Sequence, residues 1–142
     1  MRVLVIRKAD EYTEGDDKPT RELFEAMMRY TEELVNAGVM ASGEGLHPSR
    51  KGARVAFHDG TPRVIDGPFA ETKELVAGFS VWNVASLDEA VEWARRWPTE
   101  DGEGNVVLEL RPIYEAEDFG EEFTDGIRAQ EERLRARAAA NA

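Results

Sequence analysis

The order of apolar and polar residues predicts strand–helix–strand units. The β-branched run at residues 3–6 predicts a first strand. Apolar residues then recur every three or four positions through residues 23–34, which predicts a helix that begins near Thr20 and ends at Gly38. Residues 10–19, between these two elements, have no periodicity and are predicted to form an acidic loop.

A β-hairpin is predicted in the middle of the chain. Short apolar runs at residues 39–46, 53–57 and 63–65 predict strands. Asp59 and Gly60 separate the last two runs, and this pair readily adopts the positive φ angles of a two-residue hairpin turn. His58, beside the turn, is interpreted as a solvated residue rather than a functional histidine.

A second strand–helix–strand unit follows. Residues 76–84 predict a strand, and Ser86 with Glu89 has the spacing of a capping box at the start of a helix. Pro98 closes that helix, and residues 106–110 predict a last strand that ends at Pro112. The order of elements predicts an α+β fold with a ferredoxin-like protomer.

Two domains and a homodimer are expected from this arrangement. Residues 1–114 are assigned to the α+β domain, and residues 115–142, rich in Glu, Arg and Ala, to a C-terminal helical tail. Both helices are expected to cover the same face of the sheet. The other face would stay bare in a monomer, so we expect a second copy of the chain to cover it in a homodimer.

Composition narrows the function classes. The 142 residues include no cysteine, which excludes disulfides, thiolate catalysis and Cys-based metal sites. The formal net charge is -11, which disfavours nucleic-acid or anionic-membrane partners. The N-terminal apolar run is too short for a signal peptide or membrane span, so a cytoplasmic protein is expected. No metal-binding spacing of histidines is present, and neither a metal nor a cofactor is predicted.

Residues 66–75 differ from the rest of the chain. The run Asp-Gly-Pro-Phe-Ala-Glu-Thr-Lys-Glu-Leu combines a Gly-Pro turn with several ionisable groups. Asp66, at the start of the turn, has two interpretations. It either accepts hydrogen bonds from the backbone N–H groups that follow, as turn aspartates commonly do, or serves as a functional carboxylate.

This run resembles the signature of the DGPF group of YCII-related proteins. The Gly-Leu-His-Pro-Ser run at residues 45–49, the Ser-Leu-Asp-Glu-Ala run at residues 86–90 and Arg111-Pro112 are also similar to that group. The resemblance covers residues 1 to 114. It implies a dimeric α+β barrel with a cleft between sheet and helices, and it associates the group with genes of extracytoplasmic-function sigma factors.

The resemblance supplies two candidate site residues, and the charges and positions of other residues supply three more. Asp66 is the candidate acidic group and His47 the candidate histidine. If the two meet, the carboxylate would orient the imidazole and raise its basicity, which suits a general base. Glu71, Lys73 and Arg111 are the candidate ligand-binding residues. For Arg111, a structural ion pair with Glu109 or Asp66 is the alternative.

Two functions stay open on the sequence. The first is a homodimer that binds a small molecule near the DGPF loop, and its enzymatic version is a lyase- or isomerase-like acid–base enzyme. The second is a non-enzymatic accessory or interaction protein linked to sigma-factor regulation, in which the DGPF turn is structural.

Overall fold

The computed structural model describes residues 1–142 and contains six strands and four α-helices. The strands are β1 (Arg2–Lys8), β2 (Met40–Gly45), β3 (Ala53–His58), β4 (Thr61–Asp66), β5 (Val76–Asn83) and β6 (Leu108–Pro112). The helices are α1 (Glu11–Glu14), α2 (Arg21–Asn36), α3 (Leu87–Ala94) and α4 (Asp125–Ala139). None of these helices has the length and apolarity needed to cross a membrane.

Four strands form one antiparallel sheet in the order β2-β5-β1-β6. With α2 between β1 and β2, and α3 between β5 and β6, this is the ferredoxin-like βαββαβ arrangement that the sequence predicted. Strands β3 and β4 form a separate two-stranded sheet, inserted between β2 and β5. We call this hairpin, residues 53–66, the arm.

The core lies between the sheet and the helices. Alternate residues of β1 point into it, which is why Val3 and Val5 are almost fully buried while their neighbours are only half-buried. They pack with Trp82 of β5, Leu34 of α2 and other members of one cluster. The expected placement of both helices on one face is therefore confirmed.

The opposite face of the sheet carries Leu4 and Ile6 of β1 and Phe79 and Val81 of β5, which are paired across the two strands. These four side chains are half-buried and none of them belongs to the core cluster. We call this surface the open face. It has the apolar character that the sequence analysis anticipated.

Local signals in the sequence are borne out at the helix starts and at the hairpin. The side chain of Thr20 accepts a hydrogen bond from the N–H of Leu23 and caps α2, and Ser86 caps α3 by accepting from the N–H of Glu89. Asp59 and Gly60 both have positive φ, as a two-residue primed turn requires.

Two local predictions were wrong. Residues 10–19 are not entirely a loop, because Asp10 accepts hydrogen bonds from the N–H groups of Tyr12 and Thr13 and so caps the short helix α1. The last strand begins at Leu108, two residues later than predicted, and ends at Pro112. Strand β6 lies at the edge of the sheet, where a missing N–H is tolerated.

The chain divides into two compact units, Met1–Pro112 and Ile113–Ala142. The second unit holds α4, which has no buried residue, and Tyr114 stacks on Phe119 in the segment before it. Arg135 pairs with Glu131 one turn earlier in α4. The assignment of residues 1–114 and 115–142 to separate domains stays a prediction.

The Gly-Pro turn of the signature packs against the chain at Ser49. A β-carbon on Gly67 would lie 1.7 Å from the backbone oxygen of Ser49, so only glycine fits. The N–H of Gly67 donates to the carbonyl of Gly52, and the N–H of Phe69 donates to the Ser49 hydroxyl. The guanidinium of Arg54 lies 3.9 Å from the centre of the Phe69 ring. The turn is therefore a packing element at the base of the arm.

We expect Gly67→Ala to lower the free energy of unfolding by at least about 2 kcal/mol, because the new methyl group can be accommodated only if backbone moves. Urea unfolding followed by circular dichroism measures the change. Gly45→Ala is the matched control, since a β-carbon at Gly45 meets no atom within 4 Å. Equal stability of the two variants would contradict the packing role assigned to Gly67.

Candidate functional site

A buried arginine organises the residues around the end of β1. Arg7 follows Val3 and Val5 on the core side of the strand and is 7% exposed. Its Nε and Nη2 atoms donate to the two carboxylate oxygens of Asp101, at 3.1 and 2.6 Å. Its Nη1 atom donates to Asp10, at 2.8 Å, and to the carbonyl of Lys8. The two carboxylates compensate the buried positive charge.

The charged groups of this cluster shift one another's pKa values. Burial lowers the pKa of Arg7, but the hydrogen bonds and charges of Asp101 and Asp10 outweigh it, and the pKa is raised. Burial raises the pKa of Asp10, but hydrogen bonds from Thr13 and Arg7 outweigh it, and the pKa is lowered. Arg7 and Asp10 are therefore ionised near neutral pH. With one arginine and two aspartates, the cluster carries a formal net charge of one negative unit.

Asp101 extends this cluster to the aromatic residues of the helices. Its Oδ2 atom also accepts a hydrogen bond from Trp97 Nε1, at 2.9 Å. The Trp97 ring packs edge-on against Tyr30, with 5.6 Å between ring centres, and the Tyr30 hydroxyl donates to the carbonyl of Trp93. Burial raises the pKa of Tyr30, so its hydroxyl stays protonated at neutral pH.

Helix α1 is held at both ends. At its start, Asp10 binds Arg7. At its end, the carboxylate of Glu14 accepts hydrogen bonds from the N–H of Ser49, at 2.8 Å, and from the Ser49 hydroxyl, at 2.5 Å. Since Ser49 also contacts the signature turn, α1 links that turn to the Arg7 cluster.

A cavity of about 460 Å³ lies between α2 and the sheet, and we call it the inner cavity. Its floor has almost no side chains, because Gly43 and Gly45 of β2 pair with Ser80 and Gly78 of β5. Residues of α2, among them Leu23, Met27, Tyr30 and Leu34, form the opposite wall. The volume is within the usual range for ligand pockets, about 300–1,000 Å³.

The inner cavity has polar groups among its apolar walls. Arg7, Asp101 and Ser80 contribute to its lining. Ser80 is 7% exposed. Arg7 uses four of its N–H donors on protein acceptors, which leaves one N–H on Nη2. The apolar walls of the inner cavity thus include the hydroxyl of a buried serine and part of the Arg7 cluster.

An outer cavity of about 850 Å³ lies on the other side of the Arg7 cluster. Arg7 lines both cavities. The outer cavity is also lined by Lys8, Tyr12, Lys73 and Asn105. The neighbouring Glu103 raises the pKa of Tyr12, so its hydroxyl is protonated at neutral pH.

The structure does not join His47 and Asp66 by a hydrogen bond or an ion pair. His47 is exposed in the loop after β2, and Asp66 is exposed at the end of β4, opposite Ala53. Neither residue lines the inner or the outer cavity. Asp66 also accepts no hydrogen bond from the N–H groups of the turn that it begins, so the structural interpretation of this carboxylate is not supported either.

The three candidate ligand-binding residues lie in different places. Lys73 lines the outer cavity, whereas Glu71 is exposed before the short 3₁₀ turn Thr72–Glu74. Arg111 is exposed on β6 and lies 3.3 Å from the carboxylate of Glu109, which is the ion pair named as the alternative. No group of three or more His, Cys, Asp or Glu side chains has a metal-binding arrangement.

Sequence reasoning missed Arg7, Asp101 and Ser80. Arg7 could have been found, because it continues the alternation of Val3 and Val5 and a charge at such a position needs a partner. Asp101 lies 94 residues away in a loop, and nothing in the local pattern marks it as that partner.

Asp10→Asn should lower the free energy of unfolding at pH 7 by about 1–2 kcal/mol, because it removes a charged partner of Arg7 while leaving a side chain that can cap α1. Folding lowers the pKa of Asp10. The difference in free energy of unfolding between wild type and Asp10→Asn is therefore complete above the pKa of an unfolded aspartate, about 3.9. It disappears as the pH falls through the lower pKa of Asp10 in the folded protein.

Urea unfolding of both proteins between pH 7 and pH 3 measures this difference. Asp59→Asn is the control, since Asp59 is exposed in the turn of the arm. A constant difference between wild type and Asp10→Asn over the whole pH range would contradict the assignment.

Comparison with known proteins places the chain in a family. A family model described as the YCII-related domain matches residues 1–117. The uncharacterized protein R00369 of Rhizobium meliloti (strain 1021) is 39% identical over 82 residues. That match covers 58% of this chain and 63% of the relative, which is less than two thirds of its length.

One solved structure also matches at the level of backbone geometry. It is 5-chloro-2-hydroxyhydroquinone dehydrochlorinase (TftG) from Burkholderia phenoliruptrix AC1100, in complex with 2,5-dihydroxybenzoquinone. The sequences are 16% identical, the TM-score is 0.40, and the match covers 82% of this chain and 98% of the other. The family model spans most of the chain, and the signature at residues 66–75 agrees with it: the protein belongs to the YCII-related family.

Proposed function

We propose that the protein binds a small, mostly apolar molecule in the inner cavity. The observation that carries this proposal is the floor of Gly43, Gly45 and Gly78 beneath α2. A β-carbon at Gly45 meets no atom within 4 Å, so a large side chain there would enter the space, as Val3 and Val5 fill the core elsewhere on the same face of the sheet. A cavity of this size, with Ser80 and the Arg7 cluster among its apolar walls, suits a ligand rather than a packed core.

The charge of the Arg7 cluster selects against an anionic ligand. Arg7 is already paired with Asp10 and Asp101, so the cluster carries one net negative charge. A carboxylate in the inner cavity would lose its hydration and meet this negative charge. A neutral acceptor, such as a carbonyl or hydroxyl oxygen, can accept a hydrogen bond from the Ser80 hydroxyl without that cost.

The same proposal includes a homodimer formed through the open face. Leu4, Ile6, Phe79 and Val81 form a continuous apolar surface on the two central strands. Such a surface on a sheet is normally covered, and a second copy of the chain supplies a cover of matching character.

Acid–base catalysis by His47 and Asp66 stays a prediction from the family resemblance. The inner cavity holds its proposed ligand without either residue. Binding and catalysis are therefore separable by substitution: His47→Ala and Asp66→Asn should leave the affinity for an inner-cavity ligand unchanged, and any loss of turnover alone would point to the pair.

We expect Gly45→Val to abolish ligand binding while the protein stays folded. The new side chain projects into the inner cavity, where a β-carbon at Gly45 meets no atom within 4 Å, and valine favours strands. The measurement is a thermal-shift screen against neutral ketones, phenols and amides and the corresponding carboxylates, because a ligand of the folded state raises the melting temperature. Neutral compounds should give the hits in wild type, and Gly45→Val should remove them.

Ser42→Val is the matched control, since Ser42 lies on the same strand but faces the other side of the sheet, opposite Val81. It should bind as wild type does. Ser80→Ala should weaken binding by about tenfold, as expected for one lost hydrogen bond. Hits that survive Gly45→Val, or a screen in which only carboxylates bind, would overturn the proposed site or ligand class.

A further inference from the structure

The outer cavity lies at the end of the sheet where β1 finishes. Its lining comes from three segments, residues 7–12, 72–73 and 102–107. In the sheet, β5 lies on one side of β1 and β6 on the other. The N–H of Ala9 donates to the carbonyl of Leu75, just before β5. The N–H of Lys8 donates to the carbonyl of Val107, just before β6. The segments that lead into β5 and β6 therefore lie on opposite sides of the end of β1.

Two lysines line the cavity on the β5 side. Lys73 belongs to the 3₁₀ turn that precedes β5. Lys8 also lines the cavity, and its Nζ atom lies 3.4 Å from the carbonyl oxygen of Glu74, so its side chain reaches toward the same turn. We call this part of the cavity the lysine side. Two ammonium groups close to one wall attract a carboxylate.

Carboxylates lie on the β6 side. Glu11 and Tyr12 line the cavity from α1, and Glu103 belongs to the loop before β6. The charge of Glu103 raises the pKa of Tyr12, and the charge of Glu11 contributes to the same shift. The Tyr12 hydroxyl thus has both carboxylates in its neighbourhood. We call this part the carboxylate side, and it attracts a cation.

The loop that carries Glu103 has a constrained backbone. Gly102, Glu103 and Gly104 have φ angles of 56°, 55° and 81°. This left-handed conformation is unfavourable for Glu103, which has a β-carbon, and persists only where the surroundings hold it. Asp101, at the start of the loop, is bound by Arg7. The Arg7 cluster therefore fixes the loop that places Glu103 beside the cavity.

The charges around the outer cavity balance. Arg7 and Asp10 also line it, but they bind each other at 2.8 Å, and Asp101 is not part of the lining. Two positive charges on the lysine side then face two negative charges on the carboxylate side. An ion of one sign matches only one side, whereas a molecule with both an ammonium and a carboxylate replaces its lost hydration on both.

We propose that the outer cavity binds a zwitterion of the amino-acid class, with its carboxylate on the lysine side and its ammonium on the carboxylate side. The segments that lead into β5 and β6 are two strand spacings apart, about 10 Å. Side chains reach inward from both, so the two charges of a matching ligand lie several bonds apart rather than on one carbon. Ala9 and Val107 provide apolar contacts for the chain between them. This site is separate from the one in the inner cavity.

The test is isothermal titration calorimetry of the full chain at pH 7 and low salt. The probe is ε-aminocaproate, which carries both charges at opposite ends of an apolar chain. Hexanoate and hexylamine each carry one of these charges and should bind at least about tenfold more weakly, because the charged contacts of one side are lost. Glycine, whose charges are too close together to reach both sides, should also bind more weakly.

Substitutions on the two sides should have opposite selectivity. Lys73→Gln should weaken the binding of ε-aminocaproate by about tenfold and leave that of hexylamine unchanged. Glu103→Gln should weaken ε-aminocaproate to a similar extent and leave hexanoate unchanged. The retained binding of the singly charged probe shows in each case that the variant is folded.

Lys51→Gln is the matched control, because Lys51 is exposed and lines neither cavity. It should bind ε-aminocaproate as wild type does. Gly45→Val should also leave this affinity unchanged, since Gly45 lines only the inner cavity. The proposal is overturned if ε-aminocaproate does not bind, if hexanoate or hexylamine binds as tightly, if Lys73→Gln behaves like Lys51→Gln, or if Gly45→Val removes the binding.

Discussion

The burial of Arg7 constrains much of the surrounding structure. A guanidinium on the core side of the central sheet is tolerated only with carboxylates close by, and Asp101 and Asp10 supply them. Asp101 belongs to the loop after α3, and Asp10 starts α1. By holding both segments, one side chain fixes the boundary between the inner and outer cavities.

The signature turn has a structural connection to this cluster rather than a place in either cavity. Gly67 lets the turn approach Ser49, and Ser49 in turn binds Glu14 at the end of α1. The other end of α1 is held by Arg7 through Asp10. A substitution in the signature turn can therefore alter the inner cavity through α1. The turn can matter for that cavity although none of residues 66–69 lines it.

Predictions from the sequence succeeded where the physical cause is local. The caps at Thr20 and Ser86 depend on bonds within a few residues, and the primed turn depends on the conformational preferences of Asp59 and Gly60. Helix α1 was missed because four residues are too few to produce a periodic pattern. Its capping residue, Asp10, also lies in an acidic segment without periodicity, where it does not stand out.

The sequence by itself determined the elements other than α1, their order, the family and the apolar character of both sheet faces, because periodicity, capping residues and the family signature are read along the chain. The tertiary structure alone decided the site. Arg7 meets Asp101 across 94 residues, and the glycines of β2 form a cavity floor only because register places them opposite Ser80 and Gly78. Such juxtapositions depend on strand pairing and helix packing, which leave no local trace in the order of residues.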